Sequence, residues 1–421
     1  MLGVDSFNCY DYVTVDDNSV SDTNDFYAWI PYADPNFDTC WENPQSGVKR
    51  FNFHKANIIK YMGVPDDVNF TFALNYKRML NWGFNALTKF NDVQSTLNRL
   101  GKPLPYIKPA WADVSSWIYP NNLPDMWASD YVDKVEDKVR DQYLLYETDP
   151  YYIGMMNYQE YYWGTDANDR VLAANATPAK NEFIDFVAGK YLSWDDFKID
   201  PDYATIGQAY ASFAALKPAN LQAYEPNFTK SGDLPEFIRK SSERFYKTWK
   251  DAIDKYDPGR LFLGSCLIVN SNTYCSKDWI EGSLDYIDAL NADFYTTDAN
   301  QLLGLYITPY AESHDLPVIL GEYNLTTTDR GFLPYGTAMA NQLERGRIYD
   351  QLMKTYFASP YFVGCGWFQL TDQPLLGRDV HPPGGERYNT GLIDYCDQPY
   401  YDMVDQMKET NKNVWSIHKG Q

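Results

Sequence analysis

The sequence predicts an α/β fold in which short buried strands alternate with amphipathic helices. Two observations favour this class. Several short runs, such as 151–158 and 317–323, are almost wholly apolar, as expected of strands in a buried parallel sheet. Helical stretches separate these runs, and no Ser/Gly-rich linker or internal repeat interrupts the alternation. Strands that alternate with helices form parallel sheets, and about eight of them close into a (β/α)₈ TIM barrel.

The predicted elements follow in chain order. Strands are predicted at 83–90, 105–110, 151–160, 260–267, 287–295, 317–322 and 362–370, and a further one, the first in order, near 26–30. Helices are predicted at 69–82, 235–256 and 341–358. We expect an irregular N-terminal segment (1–50) packed on one catalytic barrel (51–421), with a long insertion after strand four at about 161–235. Two or three ordinary domains are the alternative for 421 residues.

Composition narrows the class of function. The formal net charge of −21 argues against nucleic-acid binding, because neutralising phosphates requires clustered Lys and Arg. The 36 Tyr and 12 Trp exceed the needs of a core, and exposed aromatic rings suit flat, partly apolar ligands such as sugars. No apolar run has the length of a membrane span. No signal peptide is visible at the start; if one has been cleaved, a secreted or periplasmic location is expected.

The cysteines and histidines do not form a recognisable metal or redox motif. The six cysteines lack CxxC or zinc-type spacing, and Cys266 with Cys275 is the one near pair, for which a disulfide is the minor alternative. The four histidines are scattered without an HExxH motif. Phosphate-loop, dinucleotide and Gly-x-Ser-x-Gly motifs are also lacking. We therefore expect neither a metal nor a cofactor.

Two glutamates each end an apolar run, Glu160 at the predicted strand four and Glu322 at strand seven. The carboxyl ends of barrel strands carry the active site. A pair of carboxyl groups there is the minimum machinery for cleaving a glycosidic bond. The alternative is that each glutamate simply begins a loop and is solvated.

The C-terminal third resembles the family 50 glycoside hydrolases, the β-agarases. The similarity is strong from about 315 to 402 and weak from about residue 50. The segments that carry it are 317–323, 328–331, Gln342 with Arg345, 363–369, Asp372, 377–378, 385–391 and 397–400, with 82–85, 178–180 and 190–191 upstream.

This resemblance implies a retaining glycosidase acting by double displacement on β-galactosidic linkages, with Glu322 as nucleophile and Glu160 as acid/base. Tyr295 is a candidate donor to Glu322 or a core residue, and Trp367 a candidate sugar platform. The remaining substrate-binding candidates are Asn157, Gln159, Gln369, Asp372, Arg378 and Glu386. A surface salt bridge is the alternative for Asp372, Arg378 and Glu386.

Two departures from the family bear on substrate. Gln159 stands where relatives carry the Asn that binds the sugar 2-hydroxyl, and Cys266 lies in a segment where agarases carry Arg. The net charge of −21 disfavours a heavily sulfated polymer. The strand-end loops offer only Lys89, Lys108, Arg330, Arg378 and Arg387 as cations for sulfate.

We therefore expect an agarose-type red-algal galactan as substrate. The alternatives are a carrageenan- or porphyran-type sulfated galactan, or a non-catalytic carbohydrate-binding barrel. A non-hydrolytic barrel enzyme such as an aldolase or enolase relative would need a Schiff-base Lys or metal-binding carboxylates, and neither is evident. The sequence does not indicate an oligomeric state.

Overall fold

The computed structural model of the 421-residue chain describes residues 1–5, 13–14, 34–42, 50–63, 68–91, 94–119, 123–158, 160, 164–269, 274–305, 307–375 and 386–420. Within these residues, nine strands form the main sheet. They are β1 (Leu2–Val4), β2 (Ala86–Leu87), β3 (Tyr106–Ala110), β4 (Tyr152–Asn157), β5 (Leu261–Phe262), β6 (Cys266–Ile268), β7 (Leu290–Asp293), β8 (Val318–Tyr323) and β9 (Phe362–Trp367).

The strand order of the main sheet is β5-β4-β3-β2-β1-β9-β8-β7-β6. The described pairings of β1 with β9 and β2, of β2 with β3, of β4 with β5, and of β6 with β7 are all parallel. The predicted α/β class with a parallel sheet is therefore confirmed. The two ends of this order, β5 and β6, are consecutive pieces of one chain segment.

Gly264 explains why the strand predicted at 260–267 is two strands. Its φ of +61° is in the left-handed region, which glycine enters without steric cost. The chain therefore turns between β5 and β6. β5 pairs with β4, Leu261 opposite Gly154, whereas β6 pairs with β7, Cys266 opposite Asn291.

The first strand differs from the prediction. The segment near 26–30 lies outside the described residues. Leu2–Val4, which the sequence analysis assigned to an irregular segment, pairs with both β9 and β2 instead. The three residues are buried. A run this short has too few residues to show a period, which is why the boundary predicted at residue 50 misses it.

The remaining described elements are short strands and helices. One three-stranded antiparallel sheet contains Val13–Thr14, Arg50–Phe51 and Trp41–Glu42, and a two-stranded one contains Trp117–Tyr119 and Leu123–Pro124. The α-helices are Phe53–Met62, Val68–Asn81, Gln94–Arg99, Tyr131–Tyr146, Thr165–Leu172, Pro178–Ala188, Trp194–Ile199, Ala204–Ala209, Phe213–Leu216, Glu225–Lys230, Asp233–Tyr256, Lys277–Ser283, Ala299–Leu305, Ile307–His314, Gln342–Ala358 and Tyr401–His418. Pro35–Cys40 and Gln222–Tyr224 are 3₁₀ helices.

The chain divides into two compact units. The first unit comprises Met1–Lys108, Tyr295–Leu305 and Leu320–Gln421. In it, the helix Gln342–Ala358 packs against Tyr401–His418. A buried hydrogen bond of 2.6 Å from the Tyr349 hydroxyl to Asn411 Oδ1 joins the two helices.

The second unit comprises Pro109–Phe294 and Tyr306–Ile319. Its longest helix, Asp233–Tyr256, buries an apolar stripe that includes Phe237, Phe245 and Trp249. This stripe packs against the helices Lys277–Ser283 and Tyr131–Tyr146. These two helices therefore cover the apolar face that the amphipathic sequence pattern predicts.

The predicted insertion after strand four is helical in the second unit. Thr177, Ser193 and Ser212 cap the starts of three of its helices, each side chain accepting from a backbone N–H three residues on. Phe197 stacks on Tyr203 with ring centroids 4.6 Å apart. The insertion therefore has its own small aromatic core rather than being an open loop.

The described cysteines are Cys40, Cys266, Cys275, Cys365 and Cys396, and all are free thiols. The disulfide considered between Cys266 and Cys275 is therefore absent. None of the described helices combines the length and the apolar character that a transmembrane helix requires.

Candidate active site

Glu322 lies in β8 of the first unit, and its carboxylate is almost wholly buried. One oxygen, Oε2, is 2.8 Å from the Nζ atom of Lys89. The other, Oε1, accepts a hydrogen bond from the Tyr295 hydroxyl. A buried carboxylate needs such partners, because desolvating an unpaired charge costs several kcal/mol. Both oxygens are therefore held in a defined orientation.

The position of Lys89 follows from the loop after β2. Phe90 has a φ of +58°, and the Asn91 amide donates to the carbonyl oxygens of Val4, Thr88 and Lys89. These bonds fix the loop, so the fully buried ammonium of Lys89 is directed at Glu322. The sequence predicts Lys89 as one of the cations available for sulfate. Its ion pair with Glu322 gives it a different role.

Glu160 lies just beyond β4 in the second unit and is half-buried. Tyr158 and Glu160 both have positive φ values, +59° and +49°. The Glu160 backbone N–H donates to the Cys266 carbonyl at 3.0 Å. The Tyr158 hydroxyl donates to the Ala112 carbonyl and accepts from the Ala112 N–H. The chain is thus anchored on both sides of Gln159, which itself lies outside the described residues.

Asn157, the last residue of β4, has a fully buried side chain. Its Oδ1 accepts from the Ser265 hydroxyl at 3.0 Å, and Ser265 accepts from the Tyr246 hydroxyl at 3.0 Å. The amide oxygen of Asn157 is therefore already engaged. Among the described residues, Nδ2 has no hydrogen-bond partner.

Asp293, at the end of β7, was missed by the sequence analysis. It is buried, and its Oδ1 accepts from the Cys266 thiol. A carboxylate oxygen of Asp293 lies within 4.8 Å of one of Glu160 in the same unit. The signal was its position two residues before Tyr295, since residues two apart on a strand point to the same face. Cys266, noted as a departure from the agarases, is thus the partner of this third carboxylate.

Trp367 does not occupy the position predicted for a sugar platform. The side chain has no exposed surface, and its indole N–H donates to the Thr390 carbonyl at 2.9 Å. Its ring packs edge-on against Tyr323 and Tyr349, with centroids 5.4 and 6.0 Å away. The prediction assumed that a strand-end ring faces outward, whereas the loop that follows β9 covers this one.

Asp372 is also fully buried, so the surface salt bridge considered for it is ruled out. It accepts hydrogen bonds from Asn389 Nδ2 and the Gly391 N–H, both at 2.8 Å, and from the Tyr400 hydroxyl. Burial raises the pKa of Asp372 to about 7, against the opposing effect of the Arg345 guanidinium. The segments that carry the family resemblance therefore include a buried polar network in the first unit.

The other predicted substrate-binding residues lie on the loop after β9. Gln369 is buried and donates to the Thr371 carbonyl at 3.0 Å. Glu386 is half-buried and accepts from Gln373 at 2.7 Å. Arg378 lies outside the described residues. Gln369 and Glu386 each have a polar partner within the loop.

Two of the remaining loop cations are already engaged within the first unit. Lys108 is buried and donates to the Asn91 carbonyl. Arg330 is exposed, with its guanidinium carbon 5.5 Å from the centre of the Tyr400 ring. Arg387 is half-buried.

Known proteins support the resemblance derived from the sequence. No protein-family model matches the chain. β-Agarase B of Vibrio sp. (strain JT0107) is 25% identical, over 99% of this chain and 46% of the relative. The solved structure of PfGH50B has a TM-score of 0.82 at 21% identity, covering 99% of this chain and 63% of that one. An exo-β-agarase structure has a TM-score of 0.74 at 22% identity, covering 89% and 51%.

These matches show two things about the chain. It is similar in sequence to β-agarases and in fold to PfGH50B and the exo-β-agarase, as its motifs predicted. It spans less than half the length of the curated relatives that it matches.

Proposed function

We propose that this chain, which is β-agarase-like in sequence and in fold, is a retaining glycoside hydrolase that cleaves β-galactosidic linkages in an agarose-type galactan. The observation that carries the proposal is the environment of Glu322. This buried carboxylate lies at a strand end and is paired with a buried lysine and a tyrosine hydroxyl. The pairing gives it the defined orientation that a nucleophile requires. The names of the curated relatives, both β-agarases, support the choice of substrate.

The proposed reaction has two steps. Glu322 attacks the anomeric carbon, the bond to the leaving sugar breaks, and the carboxyl proton of Glu160 passes to the leaving oxygen. Glu160, now ionised, then takes a proton from water, whose oxygen displaces Glu322 from the anomeric carbon and restores the starting state. Two inversions give net retention.

The proposal includes closure of the main sheet into a (β/α)₈ barrel. It is supported by the strand order, whose two ends, β5 and β6, come from one continuous segment around Gly264. Counting these two as one gives the eight strands of such a barrel. Leu2–Val4 would then belong to the barrel, which would begin before residue 51.

Asn157 is proposed to donate its Nδ2 group to a sugar hydroxyl. Its oxygen is engaged by Ser265, and its Nδ2 has no partner among the described residues. An unpaired buried amide N–H costs about 1–3 kcal/mol, which a bound hydroxyl would recover. Donors that act on the 2-hydroxyl stabilise the oxocarbenium-like transition state of glycosidases.

The decisive experiment incubates the purified chain with agarose, porphyran and κ-, ι- and β-carrageenan. Reducing ends and the anomeric configuration of the first product are measured by NMR. We expect hydrolysis of agarose with retention. Product of inverted configuration would refute the mechanism, and preference for a polymer sulfated on every repeat would refute the substrate.

Two variants test the assigned roles in the same assay. Glu322→Gln should lower kcat on the order of 10⁴-fold or more, because the attacking charge is lost. Glu160→Gln should be similarly inactive on polymer but partly recover on an aryl galactoside, whose leaving group needs no proton. Near-normal activity of either variant on polymer would show that its residue has another role.

A further inference from the structure

Arg345 is a fully buried cation in the first unit, and the proposed reaction does not use it. It lies near the start of the helix Gln342–Ala358, where the helix dipole disfavours a positive charge. Taking a guanidinium out of water also costs several kcal/mol, and burial lowers the pKa of Arg345 to about 10. A charge kept at such a position needs a reason other than the filling of space.

The contacts of the guanidinium lie on the chain that leaves β8 and on the loop after β9. Its Nε donates to the carbonyl of Leu325, three residues beyond Glu322. Its Nη1 donates to Gln342 Oε1 at 2.9 Å and to Asn389 Oδ1 at 3.1 Å. Because the N–H groups of a guanidinium diverge in fixed directions, one rigid side chain joins the segments that follow two neighbouring strands.

A further set of hydrogen bonds holds the same two segments together. Gln342 Nε2 donates to the Thr327 hydroxyl at 3.0 Å and to Asn389 Oδ1 at 2.8 Å. Asn389 Nδ2 in turn donates to Asp372 Oδ1 at 2.8 Å. All four of these side chains are buried, so water does not replace a bond that is lost. A buried network of this kind favours a single geometry.

The Trp367 ring gives the guanidinium a second route to the surroundings of Glu322. The guanidinium carbon of Arg345 lies 5.4 Å from the centre of this ring. The ring packs against Tyr323, which follows Glu322 directly in β8. Arg345 therefore acts on both residues and backbone next to Glu322, whereas Lys89 and Tyr295 contact the carboxylate itself.

We propose that Arg345 is a positioning residue, which holds the end of β8 against the loop after β9 and so keeps Glu322 aligned with the anomeric carbon. The role rests on the proposed function, since it concerns the alignment of the proposed nucleophile. A misplacement of about 1 Å can lower a rate on the order of 10²-fold. Because the groups that contact substrate remain, the loss should appear in kcat and not in KM.

The test compares two arginines of the same helix. Arg345→Met removes the buried guanidinium and keeps an apolar stem, and Arg347→Met removes an exposed guanidinium as the matched control. Steady-state kinetics on agarose oligosaccharide are measured well below the melting temperature of each variant. In Arg345→Met, kcat should fall about 10–100-fold with KM nearly unchanged. A parental kcat in Arg345→Met, or an equal loss in Arg347→Met, would overturn the role.

Two further variants separate positioning from a failure to fold. Arg345→Lys keeps the charge and one donor for the Leu325 carbonyl, and should recover part of kcat. If Arg345→Met does not fold, Thr327→Val tests the same link, because it removes the hydroxyl that Gln342 contacts and nearly keeps the volume. It should lower kcat several-fold without changing KM, and an unchanged kcat would overturn the role.

Hydrogen exchange gives a readout that does not depend on activity. In Arg345→Met the backbone amides of 324–329 should exchange faster, because the carbonyl and side chains that hold this segment lose their donor. The amides of the helix Asp233–Tyr256 in the second unit should exchange as in the parent. Unchanged exchange at 324–329, read by peptide mass spectrometry, would overturn the role even in an inactive variant.

The outcomes distinguish this role from the proposed function. If the parent hydrolyses none of the galactans, the proposed function fails and the role of Arg345 fails with it. If the parent hydrolyses agarose and Arg345→Met hydrolyses it with the parental kcat, only the role of Arg345 fails.

Discussion

Glu322 contacts a buried ammonium and a phenolic hydroxyl, and these two groups act on its carboxylate in different ways. The lysine supplies charge and the tyrosine supplies direction, because a single hydroxyl donor fixes where one carboxylate oxygen points. In the proposed mechanism that oxygen must face the anomeric carbon.

Tyr295→Phe is therefore expected to lower kcat by about 10–100-fold, since hydrogen bonds to charged groups contribute about 1.5–3 kcal/mol. KM should change little, because the phenyl ring keeps its packing against Tyr335. Tyr401→Phe, an exposed tyrosine, is the control. The measurement is steady-state kinetics on agarose oligosaccharide, and an unchanged kcat would remove Tyr295 from the mechanism.

Asp372 makes stability depend on pH. Burial raises its folded-state pKa to about 7, above the value of about 3.9 for an unfolded chain. Between these values the folded state binds more protons than the unfolded state, so the contribution of Asp372 to stability falls as pH rises from about 4 to about 7. Above about pH 7 the contribution is constant.

We expect Asp372→Asn to flatten this dependence, because the amide does not titrate and its oxygen still accepts from Asn389 or the Gly391 N–H. The free energy of unfolding of both proteins is measured by urea titration from pH 4 to 8. Relative to the variant, the parent should lose stability with rising pH, by at most about 1.4 kcal/mol per pH unit. Parallel curves would show that Asp372 does not titrate in this range.

At the scale of residues, the sequence identified those candidates whose position at the end of a strand is enough to indicate a role. Tyr295 and Glu322 are both strand-end residues, and their contact is present. The pairing of Lys89 with Glu322 depends on the fold of the loop after β2, which no pattern along the sequence encodes. Asp293 did have a signal, its position two residues before Tyr295. The prediction for Trp367 was wrong because the loop after β9, and not the position at a strand end, decides whether the ring is exposed.

At the scale of elements, the pairing of β4 with β5 leaves no room for a side chain at one position. Gly154 faces Leu261 in register, and a Cβ at Gly154 would lie only 2.0 Å from the Leu261 carbonyl oxygen. The three atoms nearest to such a Cβ all belong to the Leu261 backbone, so no flexible side chain can move aside. The strand therefore requires glycine for space rather than for an unusual φ.

Gly154→Ala is expected to destabilise the chain by about 1–3 kcal/mol, the usual cost of overpacking. Thermal unfolding followed by circular dichroism measures the effect. Gly259→Ala is the control, since a Cβ there meets no atom within 4 Å. A melting temperature for Gly154→Ala equal to that of the control would mean that the two strands separate at little cost.

The three helices predicted from the sequence are present, whereas the helices Tyr131–Tyr146 and Tyr401–His418, which are as long, were not predicted. The helices Asp233–Tyr256 and Gln342–Ala358 lie within two residues of their predicted bounds, because their apolar stripes are long. β1 was missed and the fifth predicted strand is divided, since three residues carry no period and a turn at one glycine interrupts the other.

For the whole molecule, the net charge of −21 is expected to act mainly on sulfated polymers. Raising the salt concentration from about 0.01 to about 1 M shortens the Debye length from about 30 to about 3 Å. Any residual cleavage of carrageenan should therefore increase with salt, whereas cleavage of agarose oligosaccharide should not. Initial rates across the series test this, and a salt-independent rate on carrageenan would contradict long-range repulsion.

Buried cysteines are present in both units, so their accessibility to a reagent can be used to follow the opening of each unit. Cys40 and Cys365 are buried in the first unit, and Cys266 and Cys275 are buried in the second. Burial raises the pKa of both Cys275 and Cys365, the latter to about 11, so neither reacts with an alkylating reagent until its surroundings open. Pulsed alkylation read by peptide mass spectrometry would therefore time the exposure of each unit separately, and would distinguish one cooperative unfolding event from two.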